Sequence, residues 1–245
     1  MNPVVVLAPA KLTVRLRITG IRADGYHLLD AEMVTLDLAD RLTIVPGGHG
    51  LAATGPYAAG VPLDETNLVA GALRLAGRQA AVTIDKQIPH GGGLGGGSAN
   101  AAAVLRWAGY DDLAGAARLG ADVPFCLVGG RAHVRGIGEL VDPLPRLDRT
   151  FTLVIPPLHS STPRVYAAWD ALGGPHGDGD NDLEPAAIAV EPELGRWRAR
   201  IVEACGRTPT LAGSGSTWFV DGDHGALADA LPEAKVIVTR TDRPG

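Results

Sequence analysis

Residues Pro89 to Leu105 read "PHGGGLGGGSANAAAVL". Six of the seven residues from Gly91 to Gly97 are glycine. Fixing glycine costs more backbone entropy than fixing any other residue, so such a run is expensive unless bare backbone is needed. The run follows a strand-like "AVTI" at 81–84 and precedes a small, apolar run from Ser98 to Ala108. In that run Ala101, Val104, Leu105 and Ala108 recur at helical spacing. A glycine-rich turn entering a helix is suited to an anion. Unobstructed N–H groups converge there, and the helix dipole adds positive potential. Ser98 stands where a helix N-cap or a phosphate-contacting hydroxyl is wanted.

The stretch is not a Walker P-loop, because Gly97 is followed by Ser98 and Ala99 rather than Lys and Ser or Thr. A G-x-G-x-x-G match inside it is nearly free among so many glycines. No βαβ unit with an acidic residue about 20 positions on supports a dinucleotide fold. The bland rival is a flexible loop with no ligand, but linkers seldom join a strand to a well-patterned helix.

Working outward, Leu12 to Ile18 alternates cleanly. Leu12, Val14, Leu16 and Ile18 take one face, and Lys11, Thr13, Arg15 and Arg17 the other. Val4–Leu7, Val34–Leu38 and Arg41–Val45 read as further strands, the last two joined at Ala39-Asp40. Asn67–Gln79 and Asp111–Leu119 read as helices. Beyond a loop-like stretch at 143–149 come a strand at 151–156, a helix at 163–172, a polar loop at 173–182 and a helix at 192–205. A strand at 216–220, a short helix at 226–231 and a last strand at 235–239 complete the chain. Short strands and helices without regular β-α alternation predict an α+β fold. The composition break predicts two domains, 1–145 and 146–245.

The bulk numbers exclude several classes. The chain has 245 residues, 46% hydrophobic and 20% charged, with a net charge of −5. That balance argues against nucleic-acid binding through a broad basic field. Two cysteines without zinc-like spacing suggest a reduced, cytoplasmic protein. No apolar run is long enough for a membrane span, and the N-terminus lacks signal-peptide character. The seven histidines never stand three or four residues apart.

Four stretches occur in order: "PAKLTVRL" at 9–16, "RADGYHLL" at 22–29, "GGGLGGGSANAA" at 91–102 and "LGADVPF" at 119–125. Together they resemble the galactokinase, homoserine kinase, mevalonate kinase and phosphomevalonate kinase superfamily. The likeness is closest to its 4-diphosphocytidyl-2-C-methyl-D-erythritol kinases, of the non-mevalonate isoprenoid pathway. "TNLV" at 66–69, "NDLEP" at 181–185 and "AGSGST" at 212–217 extend it over nearly the whole chain.

The resemblance implies the superfamily's two-domain α+β fold, with the site in the cleft between domains. It implies transfer of the γ-phosphate of ATP, with Mg²⁺, to the substrate's 2-hydroxyl. It implies Asp122 as the base and Lys11 beside it, holding Asp122 ionised and stabilising developing charge. Gly91, Gly92, Gly93, Leu94, Gly95, Gly96, Gly97 and Ser98 would hold the phosphates, with Asn67 and Lys86 bordering the adenosine. Tyr26 and His27 would flank the cytosine. Thr13, Thr162, Gly213 and Ser214 would contact the substrate. No metal ligand is assigned, Ser98 being one option. A small-molecule substrate, no nucleic acid, no membrane, and a monomer or weak homodimer are expected.

Each residue also has an ordinary reading on its own. Asp122 ahead of Val-Pro is a turn or capping residue, and Lys11 an edge lysine. Tyr26-His27 is an aromatic pair over a hairpin. Thr162 is a helix start, and Asn67 and Lys86 are surface residues. Three positions depart from the pattern: Thr13 stands where Asn is usual, Ala99 where a second Ser is, and His90 where Met is. These changes leave room for a kinase acting on another small alcohol, or for a nucleotide-binding protein with impaired catalysis.

Overall fold

The two strands expected near the N-terminus are one. In the computed structural model, which describes residues 2–174 and 179–242, β1 runs from Val4 to Ile21. Pro9 does not end it, because a register shift between Pro9 and Lys11 absorbs the missing donor. β2 (His27–Pro46) pairs with β1 along its length and likewise runs through Ala39-Asp40 without a break. β3 (Leu51–Thr54), β4 (Ala80–Asp85), β5 (Arg131–Gly136) and β6 (Leu140–Pro143) complete the first sheet, in the order β3-β4-β2-β5-β6 with β1 on β2. β3 was not expected from the sequence. Its four residues pair parallel to β4.

Four helices accompany this sheet. α1 (Leu68–Leu75) stops short of the expected Gln79, because Gly77 takes a left-handed φ of 59°. α2 (Gly96–Ala108) begins two residues before Ser98. Every residue from Ala99 to Leu105 is buried, so α2 is enclosed rather than one-faced. It packs on α1, β1 and α4, and its alanines permit that approach. α3 (Leu113–Ala117) is a single short turn of the longer helix expected. α4 (Val123–Val128), with Pro124 in its first turn, was not foreseen.

The second sheet has the order β10-β7-β9-β8, from β7 (Thr150–Ile155), β8 (Thr210–Leu211), β9 (Trp218–Asp221) and β10 (Lys235–Arg240). α5 (Thr162–Ala171), α6 (Glu184–Val190), α7 (Glu193–Cys205) and α8 (Leu227–Ala230) attend it. The expected polar loop at 173–182 lies partly outside the described residues.

The two sheets are stitched together at β1 and β2. Leu16 N–H donates to Asp180 C=O at 2.7 Å, and Asp182 N–H donates back to Leu16 at 3.0 Å. The Asp182 carboxylate, fully buried, accepts Ile18 N–H at 2.9 Å and Arg17 at 2.8 Å. At the other end, Asp242 N–H reaches Thr35 C=O at 2.9 Å. One core joins Ala10, Leu12, Leu36, Ile88 and Leu94 with Phe151, Leu153 and Phe219, so apolar packing crosses from the first sheet to the second.

Candidate active site

The glycine run forms a loop held at its middle. Leu94 is 1% exposed and packs in that shared core beside Leu12 and Ile88. Its side chain anchors the loop in that core. The Leu94 carbonyl accepts the backbone N–H of Lys11 at 3.1 Å, tying the loop to β1.

Two glycines are required by close approach. A Cβ on Gly93, at φ +76°, would meet the Ala212 carbonyl at 2.4 Å. A Cβ on Gly95, at φ +67°, would meet Lys11 Cγ at 2.6 Å. Gly95 is the N-cap of α2, without a side-chain cap bond. The N-cap role assigned to Ser98 is therefore corrected: Ser98 is the third residue of the helix, and the left-handed turn at Gly95 starts it. The first N–H groups of α2 have no intrahelical carbonyl and face the loop.

Lys11 is 4% exposed. Its ammonium lies 3.2 Å from Asp122 Oδ2 and donates to Thr13 Oγ1 at 3.1 Å. Asp122 occupies the N-cap position of α4 but makes no cap hydrogen bond. Its carboxylate is turned to Lys11 instead, and its side chain keeps 30% exposure. Thr13, where the pattern has Asn, still gives Lys11 an acceptor. Ala99 is buried, so its side chain looks into the protein rather than toward the loop.

The C-terminal half supplies the facing wall. Gly213 lies near Lys11, its Cβ direction 3.9 Å from the ammonium nitrogen. Thr162 and Ser214 hydroxyls share a hydrogen bond of 2.7 Å, and Ser160 donates to the Ser214 carbonyl at 2.6 Å. Buried Asn181 braces the same turn, donating to the carbonyls of Leu211 at 2.8 Å and Gly213 at 2.6 Å.

His27 meets α5. Its Nε2 lies 2.8 Å from Asp170 Oδ1, and its ring is 4.7 Å from Tyr166 and 5.5 Å from Trp169. Tyr26, beside it, is 59% exposed. Burial pushes the Tyr166 phenol up, and the charge of Asp122 adds to the effect. The same two causes, in the same order, push the Cys126 thiol up to about 12. Asp122 is thus felt from the aromatic cluster on one side and from α4 on the other.

Lys86 and Asn67, expected beside the adenosine, both have partners within the protein. Lys86 is 3% exposed and not a surface residue, its ammonium paired with buried Asp40. Asn67 caps α1, accepting Val69 N–H at 2.9 Å and donating to the Pro62 carbonyl at 2.6 Å. Its side chain is committed to the helix start. His90 directs Nε2 to the Ala59 carbonyl at 2.9 Å. The roles of Tyr166, Asn181, Asp182 and Asp40 were not read from the sequence. "NDLEP" marked the place of two of them without saying what they hold.

The chain is similar to known proteins over nearly its whole length. Residues 67–130 match the GHMP kinases N terminal domain. A 4-diphosphocytidyl-2-C-methyl-D-erythritol kinase of Paracoccus denitrificans is 42% identical over 86% of this chain and 84% of its own length. One from Cereibacter sphaeroides is 37% identical over 97% and 95%. A crystal structure of 4-(cytidine 5'-diphospho)-2C-methyl-D-erythritol kinase superposes with a TM-score of 0.76 at 33% identity, covering 98% of this chain and 100% of that one. A homoserine kinase from Cytophaga hutchinsonii shares the fold alone, at 16% identity and a TM-score of 0.68. With its loop, its lysine–aspartate pair and these relatives, the chain belongs to the 4-diphosphocytidyl-2-C-methyl-D-erythritol kinase family of GHMP kinases.

Proposed function

We propose that this kinase transfers the γ-phosphoryl group of ATP to the 2-hydroxyl of 4-diphosphocytidyl-2-C-methyl-D-erythritol, in isoprenoid precursor synthesis. The observation that carries the reading is the position of Lys11. Its backbone is bonded to the phosphate loop at Leu94, its stem lies against Gly95, and its ammonium pairs with Asp122. One residue thereby sets the distance between the loop and the base.

Phosphoryl transfer asks mostly for positioning and for neutralisation of charge on the moving group. The loop amides and the start of α2 hold the phosphates. Asp122, open on one side, accepts the proton of the attacking hydroxyl. Lys11 lies 3.2 Å from that carboxylate and faces the charge developing on the alkoxide and phosphoryl oxygens. The rings of Tyr166 and His27, with exposed Tyr26 nearby, form an aromatic wall for the cytosine face, and the Thr162–Ser214 pair borders the diphosphate. Two domains, 1–145 carrying the phosphate loop and Asp122 and 146–245 completing the substrate cleft, share these tasks.

Among the described residues no three His, Cys, Asp or Glu side chains cluster as a metal cage. Mg²⁺ would arrive on the nucleotide, since it keeps several waters and takes one or two protein oxygens plus phosphates. Ser98 is the residue that would hold it, and it would neutralise phosphate charge. Among the described residues no helix is long and apolar enough to cross a membrane.

The test is release of ADP from Mg²⁺-ATP with the cytidyl substrate, beside an Asp122→Asn control and a panel including homoserine and mevalonate. Substrate-dependent release that the control lacks supports the reading. Turnover only with another alcohol refutes the named substrate and retains the kinase.

A further inference from the structure

Asp40 lies wholly buried on β2 and takes four donors. Oδ1 accepts the backbone N–H groups of Gln87 at 2.7 Å and Ile88 at 2.8 Å. Oδ2 accepts Asn100 Nδ2 at 2.8 Å and the ammonium of Lys86. Lys86 also lies 3.4 Å from Asn100 Oδ1, and both residues are 3% exposed. Gln87 and Ile88 lead into the phosphate loop, and Asn100 belongs to α2 just after it. One carboxylate therefore grips both ends of the loop.

The sign of the buried charge is the second clue. A Cβ on Gly96, the first residue of α2, would lie 3.1 Å from the Lys86 nitrogen. The ammonium is thus placed at the positive end of a helix, where anions stabilise and cations do not. For the fold alone that is a poor location for a lysine. For a site receiving a polyphosphate it is a favourable one, provided a carboxylate offsets the buried charge when the ligand is absent.

We propose that Asp40, acting through Lys86 and Asn100, is a positioning residue for the nucleotide phosphates, fixing the spacing of the loop's two ends and holding a cation under the first turn of α2. This rests on the reading of the loop as the ATP site. No substrate atom touches Asp40, so its effect is on nucleotide affinity rather than on proton transfer.

The variant to make is Asp40→Asn, which keeps an oxygen for the two backbone N–H groups and removes the charge. Loss of a charge-assisted buried bond corresponds to about tenfold or more in affinity. KM for ATP should rise by about that factor well below the melting temperature, while KM for the cytidyl alcohol stays the same. The double variant Asp40→Asn/Lys86→Met removes both charges and serves also if the single variant does not fold. Its melting temperature should return toward that of the parent, while its KM for ATP remains high. A single variant that melts lower but keeps the parent KM, or a double variant that recovers KM along with stability, would overturn the proposal and leave the cluster a purely structural one. Calorimetric titration of the unaltered protein with Mg²⁺-ATP separates the two claims. No binding there removes the loop reading and this inference together, whereas equal binding by parent and variant removes only the inference.

Discussion

Gly95→Ala tests the link between loop and base most directly. Gly95 sits at φ +67° and ψ 21°, a left-handed conformation. A non-glycine residue there costs about 1–2 kcal/mol. The new methyl would also stand 2.6 Å from Lys11 Cγ, 3.1 Å from Cε and 3.4 Å from Cδ. Cγ is near the root of the side chain, so it cannot swing aside like a free end. It must retreat by roughly 1 Å to reach ordinary contact. The ammonium it carries is held by Asp122 and Thr13, so the pair moves or breaks. A misplacement of about 1 Å at a reacting group costs on the order of 10²-fold in rate. We expect kcat to fall by about that factor in the ADP-release assay. The melting temperature should fall by roughly 2–8 °C, taking about 2–4 °C per kcal/mol for a chain of this size. Gly97→Ala is the contrast in stability. Gly97 is helical and the nearest atom to its Cβ direction is Leu68 Cδ1 at 3.7 Å, so that variant should melt higher. If Gly95→Ala keeps kcat within threefold while melting lower as predicted, the loop does not set the position of Lys11 and the argument fails.

Asp122→Asn should lower kcat by about 10²- to 10⁴-fold with both KM values little changed, and near-normal turnover would remove Asp122 as the base. Tyr166→Ala should raise KM for the cytidyl alcohol about tenfold or more, as loss of a base–aromatic stack implies. An effect on KM for ATP instead would place that ring at the other ligand. Cys126, pushed up to about 12 from an ordinary 9.0, holds its proton to higher pH in the folded state than in the unfolded chain. Its contribution to stability is therefore full below about pH 9 and is lost as pH climbs toward 12. Urea melts at rising alkaline pH should show a shallower decline for Cys126→Ala, and identical slopes would mean that the thiol is open to water. The native thiol should also resist iodoacetamide until the protein is unfolded.

The parts of this architecture that are local were legible in the sequence. The alternation from Leu12 to Ile18 and the small-residue helix after the glycines carry their periods in plain view. Lys11 and Asp122 were placed by resemblance to a family rather than by pattern, since an aspartate before Val-Pro looks like a cap. Only the turn of its carboxylate toward Lys11 separates the two readings, and that depends on residues 111 positions apart. α4 went unread because six residues with a proline give too short a period to detect. The hidden partners are those whose role lies across the fold. Lys86 looks like a surface lysine until Asp40, 46 residues away, is brought beneath it. Tyr166 reads as an ordinary helix residue until His27 packs against it.

The stitching of β1 to Asp180 and Asp182 also governs how the chain can be made. Arg17 and Asp182 are separated by 165 positions, and Thr35 meets Asp242, the last described residue. Contacts of such separation form slowly, because a long loop must close before they repay its entropy. On a ribosome, β1 emerges first and must wait for most of the polypeptide before its outer edge is satisfied. Lys11 waits with it, since the turn at Gly213 that faces it comes later still. The enzyme should therefore gain stability and activity in one late step, and a nascent chain halted before residue 180 should remain sensitive to protease and unable to retain the cytidyl ligand.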